Sequence, residues 1–124
     1  MSSTHPAIAT VALHQPLKLV QVPTTTPQEG EVRIRVEWTA STPQDLHQAD
    51  GGLFVEYPHV LGENTAGTVV EVGRGVQRLN IGDKVFGFNY TSQKDRAYQV
   101  FITAPEYRFG KVCILYVFAK QLAG

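Results

Sequence analysis

Polar and apolar residues alternate most regularly over residues 31–39, where Val32, Ile34, Val36 and Trp38 fall on one side of an extended chain and Arg33, Arg35 and Glu37 on the other. A period of two predicts a half-buried β-strand with all four apolar side chains, Trp38 included, turned inward. Shorter runs of the same character predict further strands. Residues 7–13 and 17–22 form a candidate pair across the His14-Gln15-Pro16 break, and residues 68–72 and 84–88 form the arms of a meander folded back by Gly73, Gly75 and Gly82-Asp83. Residues 97–103 predict one more strand, with a helical turn at 105–108. The stretch 23–30 is turn material.

At Ser41-Thr42-Pro43-Gln44-Asp45-Leu46 the pattern changes to that of a helix start. Thr42 is an N-cap, Pro43 fits the first helical position and Asp45 the third, and Asp50-Gly51-Gly52 ends the helix within about two turns. Six or seven strands and little helix predict a mainly β fold, a small barrel or curled sandwich.

Composition narrows the classes of function. The chain has 124 residues, is 43% hydrophobic and carries 11 basic and 11 acidic residues, which suits one domain with a modest core. No run of like charge exceeds a pair, which argues against a nucleic-acid or anionic-membrane partner. The N-terminus lacks the basic and apolar regions of a secretion signal, and no stretch approaches a membrane span. A lone cysteine, Cys113, allows no internal disulfide and fits a reducing compartment, so a cytoplasmic location is expected. The sequon Asn89-Tyr90-Thr91 is then idle.

Candidate chemistry is sparse. Gly73-x-Gly75 after a strand, with Asp95 about twenty residues on, imitates a dinucleotide fingerprint. Arg78 occupies the third glycine position, however, and residues 80–83 break the chain before a phosphate-binding helix forms, so the pair reads as a hairpin corner. His59 and Glu63 are four apart but lie in a proline-flanked extended stretch, where that spacing does not bring side chains to one face. His47, Asp45 and Asp50 are near in sequence without forming a ligand pattern, and the histidines read as surface or loop residues, so no metal site is expected. Cys113 lies within the apolar run 112–118, where a thiol is usually a small buried hydrophobe. No catalytic residue can be named from the residues alone.

Six segments in order carry a family resemblance: PQEGEVRIRV (27–36), TPQD (42–45), PHVLGENTAG (58–67), VVEVGRG (69–75), IGDKVFG (81–87) and AYQVFITAPEYRFGK (97–111). Together they resemble the N-terminal GroES-like domain of the medium-chain dehydrogenase/reductase superfamily. The resemblance implies a partly open β-barrel with one or two short helices over residues 1–111. Where zinc-dependent members carry a catalytic cysteine, this chain has Thr42, followed by Pro43-x-Asp45, and where they carry Gly-His-Glu it has Gly62-Glu63-Asn64. These departures resemble the zinc-independent enoyl and quinone reductases, and imply NADPH as cofactor, no metal, and a small-molecule acceptor with an activated double bond. By the same resemblance Thr42, Pro43, Gln44, Asp45 and Leu46 would line the cofactor's nicotinamide end, against the simpler reading that Thr42 and Asp45 only cap the helix.

After Lys111 the resemblance stops. Residues 112–124 form an atypical apolar tail in place of the family's proline and doubly wound cofactor domain, so no Rossmann domain is expected in this chain. The chain then reads as a truncated oxidoreductase, weakly active or inactive alone. The alternative is a non-enzymatic GroES-like barrel that acts as an interaction module, as a homo-oligomer or with a full-length relative.

Overall fold

The computed structural model describes residues 3–12, 14–41, 57–89 and 92–112. Among them are eight strands: β1 (Thr4–Thr10), β2 (Lys18–Pro23), β3 (Glu31–Trp38), β4 (His59–Val60), β5 (Asn64–Val72), β6 (Lys84–Phe88), β7 (Phe101–Pro105) and β8 (Phe109–Lys111). They form two sheets, one of three strands in the order β2-β1-β4 and one of five in the order β7-β3-β5-β6-β8. The named strand pairs are antiparallel. The fold is mainly β, as the alternation predicts. The expected helix, from Thr42 to the Asp50-Gly51-Gly52 stop, and all but Val112 of the tail 112–124 lie outside the described residues.

The five-stranded sheet supplies the main core. Val32 and Ile34 of β3, Val69 of β5, Val85 of β6, Ile102 and Ala104 of β7 and Phe109 of β8 pack with Leu79, all essentially without solvent contact. Each large side chain among them contributes about 1.5–3 kcal/mol by leaving water. A smaller cluster, Ala7, Ala9 and Val60, lies under the three-stranded sheet and is flanked by Val20, Val22 and Tyr98.

Four expectations need correction. Trp38 is not inward: its side chain is 76% exposed. The β3–β5 register shifts between Val36 and Trp38, and an irregularity of this kind puts consecutive residues on the face that strict alternation would split. The strand expected at 97–103 is displaced to Phe101–Pro105. Residues 97–100 instead change partners between the sheets, with Tyr98 and Val100 bonding β1 through Ile8 N–H and Pro6 C=O, while Val100 C=O accepts from Val36 N–H of β3. Apolar alternation marks those residues as extended but cannot show a ladder divided between two sheets.

The third correction concerns Gly73 and Gly75, which do not make a tight hairpin corner. An excursion over residues 73–83 separates β5 from β6 and inserts Leu79 into the core. Gly73 is needed there for close approach, since a Cβ on it would meet the Gln28 carbonyl oxygen at 2.0 Å. Finally, His59 is 3% exposed rather than superficial, because β4 pairs with Thr10 of β1 and is tied to Gln93.

Candidate functional site

Antiparallel pairing brings three strand ends to one end of the large sheet. β3 runs out through Thr39, Ala40 and Ser41 toward Thr42, β5 begins at Asn64 opposite Phe88, and β6 ends where Asn89 N–H donates to Glu63 C=O at 2.8 Å. Thr42, Pro43, Gln44, Asp45 and Leu46 lie outside the described residues, but the chain that delivers Thr42 is fixed: Trp38 pairs with Ala66, placing the β3 exit beside the Gly62-Glu63-Asn64 turn. Gly62 permits that turn, with φ of 98° and no room for a side chain, since a Cβ would stand 2.6 Å from the Tyr98 ring.

The turn is held from behind by a polar network that sequence reasoning did not identify. Gln93 accepts a hydrogen bond from Val60 N–H at 2.8 Å and donates to Pro58 C=O at 2.6 Å, fixing the segment that leads into Gly62. Ala97 and Tyr98 N–H donate to Gly62 and Leu61 C=O at 3.1 and 2.9 Å. Gln99 Nε2 donates to the carbonyls of Gln93 and Arg96 at 2.7 and 2.8 Å, so its Oε1 accepts from His5 Nε2–H at 2.8 Å. The other ring nitrogen, His5 Nδ1, pairs with the Thr24 hydroxyl at 2.7 Å. His5 is 4% exposed and also meets the Phe101 ring edge-on. Nothing in the spacing of two glutamines and a histidine signals such a network.

The glycine-rich excursion is not a phosphate cradle. Gly73 N–H donates to Glu31 C=O at 2.7 Å, and the N–H groups of Gln77 and Arg78 donate to the Glu106 carboxylate at 3.1 and 3.0 Å. The amides of Arg78 and Gln77 hold the Glu106 carboxyl below the usual range, so the anion at this loop is the protein's own. Asp95, the would-be ribose ligand, is buried and paired with Arg108 at 3.1 Å. Asn89, the sequon asparagine, is fully buried and is not presented to a glycosylating enzyme in the folded chain. Among the described residues no three His, Cys, Asp or Glu side chains converge as a metal site would require, and no helix is long and apolar enough to cross a membrane.

Comparison with known proteins gives the class. The family model for the alcohol dehydrogenase GroES-like domain matches residues 28–112. The chain belongs to this family, and so to the medium-chain dehydrogenase/reductase superfamily of oxidoreductases. It is 41% identical over 71 residues to an alcohol dehydrogenase of Schizosaccharomyces pombe, covering 56% of this chain and 20% of that protein. It is 38% identical over 85 residues to an acryloyl-coenzyme A reductase of Sulfurisphaera tokodaii, covering 68% of this chain and 25% of the relative. The quinone oxidoreductase of Coxiella burnetii superposes with a TM-score of 0.81 at 28% identity, covering 90% of this chain and 38% of that structure. The chain thus spans about a quarter or less of these two curated relatives. Their names divide between dehydrogenase and reductase and do not choose a branch.

Proposed function

We propose that this domain provides the substrate-side wall of a zinc-independent, NADPH-dependent reductase acting on an activated double bond or quinone. The carrying observation is the Gly62-Glu63-Asn64 turn beside the β3 exit toward Thr42. A zinc-binding relative would need a thiolate and an imidazole at this sheet end, and the chain offers a hydroxyl, a carboxylate and a carboxamide, a poor set for a borderline-soft ion.

NADPH, when bound, supplies a hydride to the acceptor. The chain's own contribution in this reading is positional, with Thr42, Pro43, Gln44, Asp45 and Leu46 assigned to orienting the nicotinamide end and excluding water. The described residues do not fit the pyrophosphate, because the Gly73 and Arg78 region already binds Glu31 and Glu106. The reading therefore assigns to this chain only the nicotinamide end.

Saturation-transfer NMR with NADPH tests the assignment. Transfer to nicotinamide protons, weak transfer to adenine, and loss of the nicotinamide signal in Thr42→Val are expected. No nicotinamide transfer, or the same transfer in Thr42→Val, overturns it. Stoichiometric zinc in the purified protein by elemental analysis overturns the zinc-independent branch.

A further inference from the structure

The outer face of the large sheet carries an aromatic slot unrelated to the core. Trp38 of β3, Ala66 of β5, Phe86 of β6 and Gly110 of β8 form one cross-strand row. Trp38 and Phe86 are 76% and 55% exposed. Phe86 leans away from Trp38 over Gly110, where a Cβ would stand 2.6 Å from its ring. Ala66 is thereby left as the floor between two aromatic walls on strands two apart, whose backbones are about 10 Å from each other, room for one planar ring stacked between them. The resulting hollow of about 340 Å³ is bordered by Thr39, Asn64 and Thr65.

One pleat along the same face the row is Arg35, Thr68 and Lys84. Glu37 serves all three: Thr68 Oγ1 donates to its carboxylate, Lys84 Nζ lies at 2.9 Å and Arg35 only at 3.8 Å. The neighbouring cations Arg33 and Lys111 are paired with Glu71 and Asp83. Two cations share one carboxylate, leaving one positive charge in surplus about 7 Å from the slot floor.

We propose that this face, which adjoins the Thr42 region at Thr39, Ala40 and Asn64, is a second binding site, for a small planar aromatic anion. Its ring stacks between Trp38 and Phe86 over Ala66, and its carboxylate meets Arg35 and Lys84. An aromatic ring alone would use only the slot, and a simple anion only the cations; the spacing of the two rows favours a ligand that carries both.

Trp38 is the only tryptophan in the chain, so its fluorescence reports on the slot directly. Titration of the full chain with trans-cinnamate is expected to give saturable quenching. The neutral cinnamyl alcohol should bind several-fold more weakly. Ala66→Leu, which fills the floor, should weaken cinnamate binding at least tenfold, and Arg35→Gln several-fold, each with an unchanged circular dichroism spectrum. If Ala66→Leu does not fold, Arg35→Gln at an exposed position carries the same test. Linear, non-saturating quenching, equal binding of the alcohol, or unchanged binding in the variants overturns the proposal. So does Trp38 emission that depends on protein concentration without ligand, which would assign the slot to a second copy of the chain.

Discussion

The two sheets are held by different kinds of force. The five-stranded sheet closes over a continuous apolar cluster reaching from Val32 to Phe109, whereas among the described residues the three-stranded sheet covers a smaller one, Ala7, Ala9 and Val60 with Val20, Val22 and Tyr98 at its margin. The smaller sheet is fastened by hydrogen bonds, from Ile8 and Pro6 to the 97–100 seam and from His5 to Gln99. Apolar burial is non-directional and tolerates small shifts, while a buried hydrogen-bond chain is satisfied only in one arrangement. The large sheet therefore supplies stability, and the small one supplies a fixed position for the Gly62-Glu63-Asn64 turn that it backs.

The largest expected effect lies in the large sheet. Ile34→Ala should cost about 2–5 kcal/mol in urea unfolding, because the side chain is fully buried and its neighbours cannot close the gap. A cost below about 1 kcal/mol would break the comparison. Gln99→Leu comes next, at about 1–3 kcal/mol, since it removes the acceptor of His5 Nε2–H and the side-chain donor to the Gln93 and Arg96 carbonyls. Its signature should be local, with amide exchange rising in β1 and β2 while β3 and β5 stay protected; uniform loss of protection would show the two sheets to be one cooperative unit.

Acid provides a smaller probe of the tie between them. Burial raises the Glu31 carboxyl, but the hydrogen bond from Lys94, the Gln28 N–H and the Lys94 charge outweigh it and leave it below its usual range. A carboxyl lowered in the fold stabilises above its unfolded pKa, and that contribution is lost as the pH falls through the folded value. Stability should thus decline below about pH 4, by less than in Gln99→Leu, and Glu31→Gln should flatten the decline. The smallest effect belongs to the outer face, where Glu37→Gln should cost about 0–1 kcal/mol in the same assay despite its contacts to Thr68 and Lys84.

Much of the large sheet is legible in the sequence because its strands obey a single period. Val32 and Ile34 point inward as their spacing predicts, and β6 falls on residues 84–88 as expected. Trp38 defeats the same rule, since a register shift depends on the opposing strand and leaves no mark in the strand's own alternation. Residues 97–100 escape the rule for a related reason: they are extended, but their partners change from β1 to β3 within a few residues. The Gly73-x-Gly75 turn could be separated from a phosphate loop by Arg78 and the break at 80–83, yet the Glu106 carboxylate that occupies its amides comes from far along the chain. At the candidate site, Glu63 and Asn64 were readable only against a family pattern, because neither residue type in isolation specifies a task. Gln93 and Gln99 give no signal at all, since a carboxamide that ties backbone segments together is indistinguishable in sequence from a merely solvated one.

The bond between His5 and Gln99 joins residues 94 positions apart. Closing so long a loop costs more chain entropy than joining β5 to β6, and the contact rewards that cost only once its far end is already in place. During folding the β5–β6 pair can therefore form from local chain alone, whereas the His5 link must wait for almost the whole domain. On a chain emerging from the ribosome, β1 and β2 would be made first and secured last, spending synthesis as a hairpin whose docking partner does not yet exist.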